Sequence, residues 1–198
     1  MRRLPASSSP RPLLTRAALF VVMSGAIWAT LAPARAAGSK FTLTSANLSD
    51  GGVVHASQVF DRANCHGANR SPQLSWSHPP AGTRSFAITM FDPDAPGRGW
   101  WHWALAGLPA SVRALPENAS ASGQAAKLGA IEARNDFDVD GYGGPCPPPG
   151  KPHRYVVTVY ALGVVDAGLA QGRPAAMFDR EIRGSTLGSA TLTVTYGR

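Results

Sequence analysis

The chain has 198 residues, 44% of them hydrophobic, with 19 Lys and Arg against 12 Asp and Glu for a net charge of +7. That length suits a single domain with a sizeable core. The basic balance suggests nucleic acid, but Arg2, Arg3, Arg11, Arg16 and Arg35 supply five of those charges within the first 36 residues; removing them leaves 14 basic against 12 acidic residues, +2, with no basic stripe, which excludes a nucleic-acid partner.

Residues 1–36 combine those arginines with an apolar run, Ala17 to Leu31, and close on Ala34-Arg35-Ala36. A basic start, an apolar middle and a small-residue end predict a secretory signal peptide cleaved near Ala36. The run is shorter than the roughly 20 apolar residues of a spanning helix, so no integral membrane span is expected in the mature chain. Residues 37–198 then form one domain in the periplasm or outside the cell.

Several segments read as half-buried strands. Phe41 to Thr44 and Ser85 to Met90 alternate apolar and polar residues, Tyr155 to Leu162 is β-branched and aromatic, and Thr191 to Tyr196 alternates near the end. A helix is predicted over Ala175 to Arg183, between Pro174 and Gly184, and a weaker helical stretch around Ala119 to Leu128. Strands joined by long loops with few helices predict a mainly all-β fold, an antiparallel β-sandwich. Cys65 and Cys146 are the two cysteines. In an oxidising compartment they read first as a disulfide, with two free thiols or half a metal site as the competing readings.

Two distant segments carry the chemistry. Asp92-Pro93-Asp94-Ala95-Pro96 follows a strand, and its prolines hold two carboxylates at the strand's end. We assign Asp92 to a pocket and Asp94 to an acidic turn. His102 stands among Trp100, Trp101 and Trp103; regular alternation would send His102 and Trp100 to one face and Trp101 and Trp103 to the other. Gly143 to Gly150 is a glycine- and proline-rich loop containing Cys146, and it precedes His153 and Tyr155, which share a strand face. His55, His66 and His78 have no such setting and are expected at the surface.

At this point a family resemblance becomes visible. Ser71-Pro72-Gln73-Leu74-Ser75-Trp76, Pro80 to Phe86, Asp92 to Pro96, Gly99 to Trp103, Arg134-Asn135-Asp136-Phe137, Gly141 to Gly150 and His153 to Tyr155 occur in order. Together they resemble the phosphatidylethanolamine-binding protein (PEBP) family, in particular its bacterial Raf-kinase-inhibitor-like branch. The resemblance implies Greek-key topology with a few short peripheral helices. It also implies a small anion pocket of Asp92, Pro96, Trp100, His102, Gly144, Pro147, Pro148, His153 and Tyr155. Paired cysteines at positions like Cys65 and Cys146 occur in exported bacterial members. Pro149 stands where many relatives have lysine, and the chain ends soon after its last strand, without the C-terminal helix of animal members.

The expected function is therefore binding of a small anion or phosphorylated head group, without catalysis, cofactor or resident metal. In this scheme the His102 and His153 ring N–H groups and the Tyr155 hydroxyl donate to phosphate-like oxygens. Backbone N–H groups at Gly143-Gly144 form an anion nest, Asp92 orients a histidine, and Trp100 supplies an apolar wall. Two alternatives accompany it. One is a protease or kinase-pathway inhibitor acting through its surface on an envelope or secreted protein. The other is a metal-dependent hydrolase using Asp92, Asp94, His102 and His153, although their spacing matches no H-E-x-x-H motif and no G-x-S-x-G elbow is present.

Overall fold

A computed structural model describes residues 39–198. The expected signal peptide and its cleavage point lie outside the described residues. Eight strands and two short helices follow in order: β1 (Thr42–Thr44), β2 (Leu74–Ser77), β3 (Ser85–Asp92), β4 (Trp100–Pro109), β5 (Ala114–Leu115), α1 (Gln124–Lys127), β6 (Ile131–Glu132), β7 (His153–Leu162), α2 (Ala175–Arg183) and β8 (Thr186–Tyr196).

The strands form two antiparallel sheets, ordered β1-β2-β5 and β6-β4-β3-β7-β8. Within the larger sheet, β7-β3-β4-β6 has the spatial order of a Greek key, the chain returning from β6 to pair β7 beside β3. Alternation decides how each strand is buried. Phe86, Ile88 and Met90 of β3, with Tyr155, Val157 and Val159 of β7, pack with Leu43, Leu74 and Trp76 of the smaller sheet in one core. The intervening residues meet α2 instead: Ala87, Ala104 and Leu162 form a second cluster with Ala175, Phe178 and Ile182. On α2, Ala175, Phe178, Asp179 and Ile182 are the buried positions, the i, i+3, i+4, i+7 stripe that lays one helix face on a sheet.

The predicted helix over Ala175 to Arg183 is present with those bounds. The stretch around Ala119 to Leu128 contains only the single turn α1, begun at Gly123 in the left-handed region (φ 72°). Serine and glycine across residues 120–123 favour turns over a longer helix. The short strands β2, β5 and β6 were not expected from periodicity, because two to four residues carry too little of it.

Cys65 and Cys146 are bonded, with Cα atoms 5.8 Å apart and 81 positions separating them in sequence. The bond joins the loop after Phe60 to the proline-rich loop before β7. These loops also meet through backbone hydrogen bonds, Phe60 N–H donating to Pro145 O at 3.2 Å. Gly144 is required at this crossing, since a Cβ there would lie 2.1 Å from Gln58 O.

Closing a loop of this size removes chain entropy from the unfolded state worth about 4 kcal/mol. A Cys65→Ser/Cys146→Ser variant should accordingly lose about that much unfolding free energy in urea denaturation of the oxidised protein. Equal midpoints and slopes for the two proteins would contradict a bond that constrains the unfolded chain.

Candidate functional site

The ends of β3, β4 and β7 meet at one edge of the larger sheet, and a cavity of about 210 Å³ opens there. Its lining is Asp92 from β3, Trp100 and His102 from β4, His153 and Tyr155 from β7, and Ala95, Pro96, Phe137, Cys146, Pro147 and Pro148 from the loops. Eight of the nine residues expected at the pocket are thus brought together across more than sixty residues of sequence. Gly144 is the exception. It lies behind the wall, packed on residues 58–60, and its N–H donates to Asn69 Oδ1 at 2.8 Å.

A β-bulge places His102. Met90 pairs with Trp103 and Phe91 with Trp101, so His102 has no partner on β3. The extra residue breaks the alternation expected from the sequence: Trp103 enters the inter-sheet core, whereas Trp101 packs on the α2 side. His102 is left on the cavity side with Trp100. The bulge is braced from outside β4. Asp136 Oδ2 accepts from Trp101 N–H at 2.8 Å, and Asp136 N–H returns a bond to Trp101 O at 3.0 Å. The same loop delivers Phe137, which stacks on Phe60 at 4.1 Å and meets Trp100 and His102 edge-on. Asn135 holds this turn, accepting from Phe137 N–H and donating to Gly141 O. Phe137 stands in a motif quoted above, but a lone aromatic carries no local sign that it will wall a cavity.

Asp92 is 3% exposed and its oxygens are occupied. Oδ1 accepts from the N–H groups of Asp94 and Ala95, at 2.8 and 3.0 Å, and Oδ2 accepts from His153 Nδ1 at 2.7 Å. The histidine that Asp92 orients is therefore His153. Asp94 turns outward, as an acidic turn residue should, and grips Arg154 through both oxygens. Those charge-assisted bonds hold its carboxyl well below the usual carboxylate range. His55, His66 and His78 are exposed.

His102 is 2% exposed. Its Nδ1 lies 2.7 Å from Gly143 O, and since a carbonyl only accepts, Nδ1 carries the proton. Burial lowers the pKa of this ring from 6.5 to about 4, against the opposing pull of the Gly143 carbonyl and Asp92. Near neutral pH the ring is uncharged and its other nitrogen is an acceptor, which corrects its assignment as a donor. The glycine nest is corrected too: Gly143 N–H is taken by His102 O at 2.8 Å and Gly144 N–H by Asn69. The available donors are instead the Tyr155 hydroxyl and the Trp100 indole N–H, both buried and without a partner. Desolvation raises the Tyr155 pKa far above its ordinary value, so the phenol keeps its proton. Asp92, Asp94, His102 and His153 do not assemble into a metal site; among the described residues no three His, Cys, Asp or Glu side chains group as one would require.

Comparison with known proteins agrees with this architecture. The family model described as "Phosphatidylethanolamine-binding protein" matches residues 44–197. YbhB of Escherichia coli (strain K12), a UPF0098 protein, is 40% identical over 155 residues, covering 78% of this chain and 98% of its own. YbcL of the same organism is 40% identical over 164 residues, covering 81% and 90%. Its crystal structure, described as a new member of the mammalian PEBP family, superposes with a TM-score of 0.78 over 81% of this chain and 99% of that one. A putative lipoprotein, LppC of Mycobacterium tuberculosis (strain ATCC 25618 / H37Rv), is 32% identical over 161 residues, covering 81% of this chain and 74% of its own.

The buried neutral His102 predicts an acid-side loss of stability. The unfolded imidazole takes a proton near pH 6.5, the folded one only near pH 4. Between those values protons bind the unfolded chain preferentially, so stability falls as pH drops from about 7 towards 4, by about 3 kcal/mol in all. Urea unfolding of wild type and His102→Gln at pH 7 and pH 4.5 should show the variant losing less over this interval. Parallel losses would overturn the neutral assignment.

Proposed function

The chain belongs to the phosphatidylethanolamine-binding protein family, and on that premise we propose that its cavity reversibly binds the phosphate group of a small phosphorylated ligand or head group. The observation that carries this reading is a pair of buried donors without a partner, Tyr155 O–H and Trp100 Nε1–H, on two residues that line the cavity. Leaving a buried donor unpaired costs about 1–3 kcal/mol, and native interiors leave few of them. Oxygens of an anion offset both. His153, with Nδ1 held on Asp92 at 2.7 Å, presents its ring at the same cavity. Asp92 then serves the anion indirectly, by fixing that ring.

Size and wall chemistry define the ligand further. A cavity of about 210 Å³ is smaller than the roughly 300–1,000 Å³ of sites for drug-sized molecules. It suits a phosphoryl head group with a short substituent and leaves no room for acyl chains. Pro96, Phe137, Pro147 and Pro148 enclose the polar atoms in apolar surface, where hydrogen bonds to an anion gain strength. Pro149 is exposed and outside the lining.

The reading is of a binding protein rather than an enzyme. Among the described residues, the one sulfur lining the cavity belongs to the Cys65–Cys146 disulfide, and no serine or threonine lines it. It is also of a protein working outside the cytoplasm. The disulfide favours an oxidising compartment, and the likeness to a protein named as a lipoprotein points to the cell envelope.

Calorimetric titration of residues 37–198 with phosphate, phosphoethanolamine and acetate should give saturable binding to the phosphate compounds. Tyr155→Phe should weaken it about tenfold, the loss of one hydrogen bond to a charged group. The same substitution removes an unpaired buried donor, so the ligand-free variant should melt no earlier than wild type. Absence of binding to all three compounds would overturn the reading.

A further inference from the structure

The polar atoms facing the cavity are not all donors, and the exception constrains the protonation state of the ligand. Asp92 is mostly engaged, with Oδ1 on two backbone N–H groups and Oδ2 on His153, which leaves one acceptor position on Oδ2. His102 differs in kind. Its Nδ1–H is committed to Gly143 O, and the bulge fixes the ring between Phe137 and Tyr155, at centroid distances of 5.5 and 5.1 Å. The side-chain hydrogen bond of His102 engages Nδ1; Nε2 of the neutral ring keeps its lone pair, on a residue that lines the cavity. A fully deprotonated oxyanion entering the cavity would set its own lone pairs against this one, in apolar surroundings where such a mismatch is costly.

Building on the anion-pocket reading, we propose that His102 makes the site selective for an oxyanion that brings its own proton: a singly protonated phosphate monoester whose P–O–H donates to His102 Nε2 while its remaining oxygens accept from Tyr155 and Trp100. The class is narrower than anions in general. Phosphate monoesters lose their second proton at a pKa of about 6, so the binding form is abundant below that pH and scarce above it. Sulfate esters have the same tetrahedral shape and a single charge but no proton, and the site disfavours them. Burial is what keeps His102 an acceptor: an imidazolium at this position would donate through Nε2 and reverse the preference.

Other ionisable groups surround the ring: Asp92 on β3, Asp136 on the loop after β6, and His153 and Tyr155 on β7. Their charges also act on any bound anion, so the informative quantity is a ratio of two ligands with equal charge. Phosphoethanolamine and 2-aminoethyl sulfate are such a pair at pH 5, differing chiefly in one acidic proton. Titration calorimetry on residues 37–198 should find phosphoethanolamine bound about 10- to 100-fold more tightly at pH 5, the range expected when a buried acceptor is left unpaired. That advantage should shrink as pH rises to 8, because the phosphate ester becomes a dianion while the sulfate ester does not change. In His102→Phe the pH 5 ratio should approach one; should that variant fail to fold, the pH dependence of the wild-type ratio reads the same property. Equal affinities at pH 5 would overturn the role given to His102 and leave the anion pocket standing. Binding of neither compound would overturn both.

Discussion

Everything at the open edge of the larger sheet hangs on the carboxylate of Asp92. It ends β3, and with one oxygen it caps the turn through Asp94 and Ala95 while with the other it holds His153, the first residue of β7. One buried charge thereby ties a strand end, a turn and a neighbouring strand together. Burial of a carboxylate is costly unless its lone pairs are used, and three N–H donors use them here. Asp94, two residues on, repeats the tie outside the cavity by clamping Arg154. The paired β3 and β7 ends are therefore fixed on both faces of the sheet, and the cavity keeps a rigid side.

The opposite side depends on an irregularity. A regular β4 would carry Trp103 away from the inter-sheet core; the bulge lets Trp103 fill that core while His102 and Trp100 reach the cavity. Asp136 and Gly143 supply the hydrogen bonds that the bulge removes from the β3 ladder. The disulfide and the close crossing at Gly144 then press the proline loop against this arrangement. Rigid loops matter for any weakly held ligand, since ordering a mobile wall on binding would consume the small free energy that a few hydrogen bonds provide. Proline fixes φ in advance and lowers that cost.

Site chemistry follows from where the protons already are. Backbone amides at Gly143 and Gly144 look available in a glycine-rich loop, yet both are consumed in holding that loop in place. What remains is an indole, a phenol and two imidazole nitrogens, with no lysine or arginine in the lining. Such a site offers matched donors and acceptors rather than bulk positive charge.

The sequence itself specified what local chemistry controls. Alternation marked the long strands, the Pro174 and Gly184 flanks marked α2, and proline at Pro93 and Pro96 marked the rigid turn after β3. Ordered motifs brought eight of the nine pocket residues to one place, because each sits at the end of a strand or in a loop whose position follows from the fold. Only tertiary structure decided the rest. A bulge has no period of its own and exists because Asp136 and Gly143 come from elsewhere to satisfy it; Phe137 and Ala95 join the wall through packing alone. The hydrogen bonds from His102 to Gly143, from His153 to Asp92 and from Gly144 to Asn69 join residues tens of positions apart, and proton positions cannot be read from residue types.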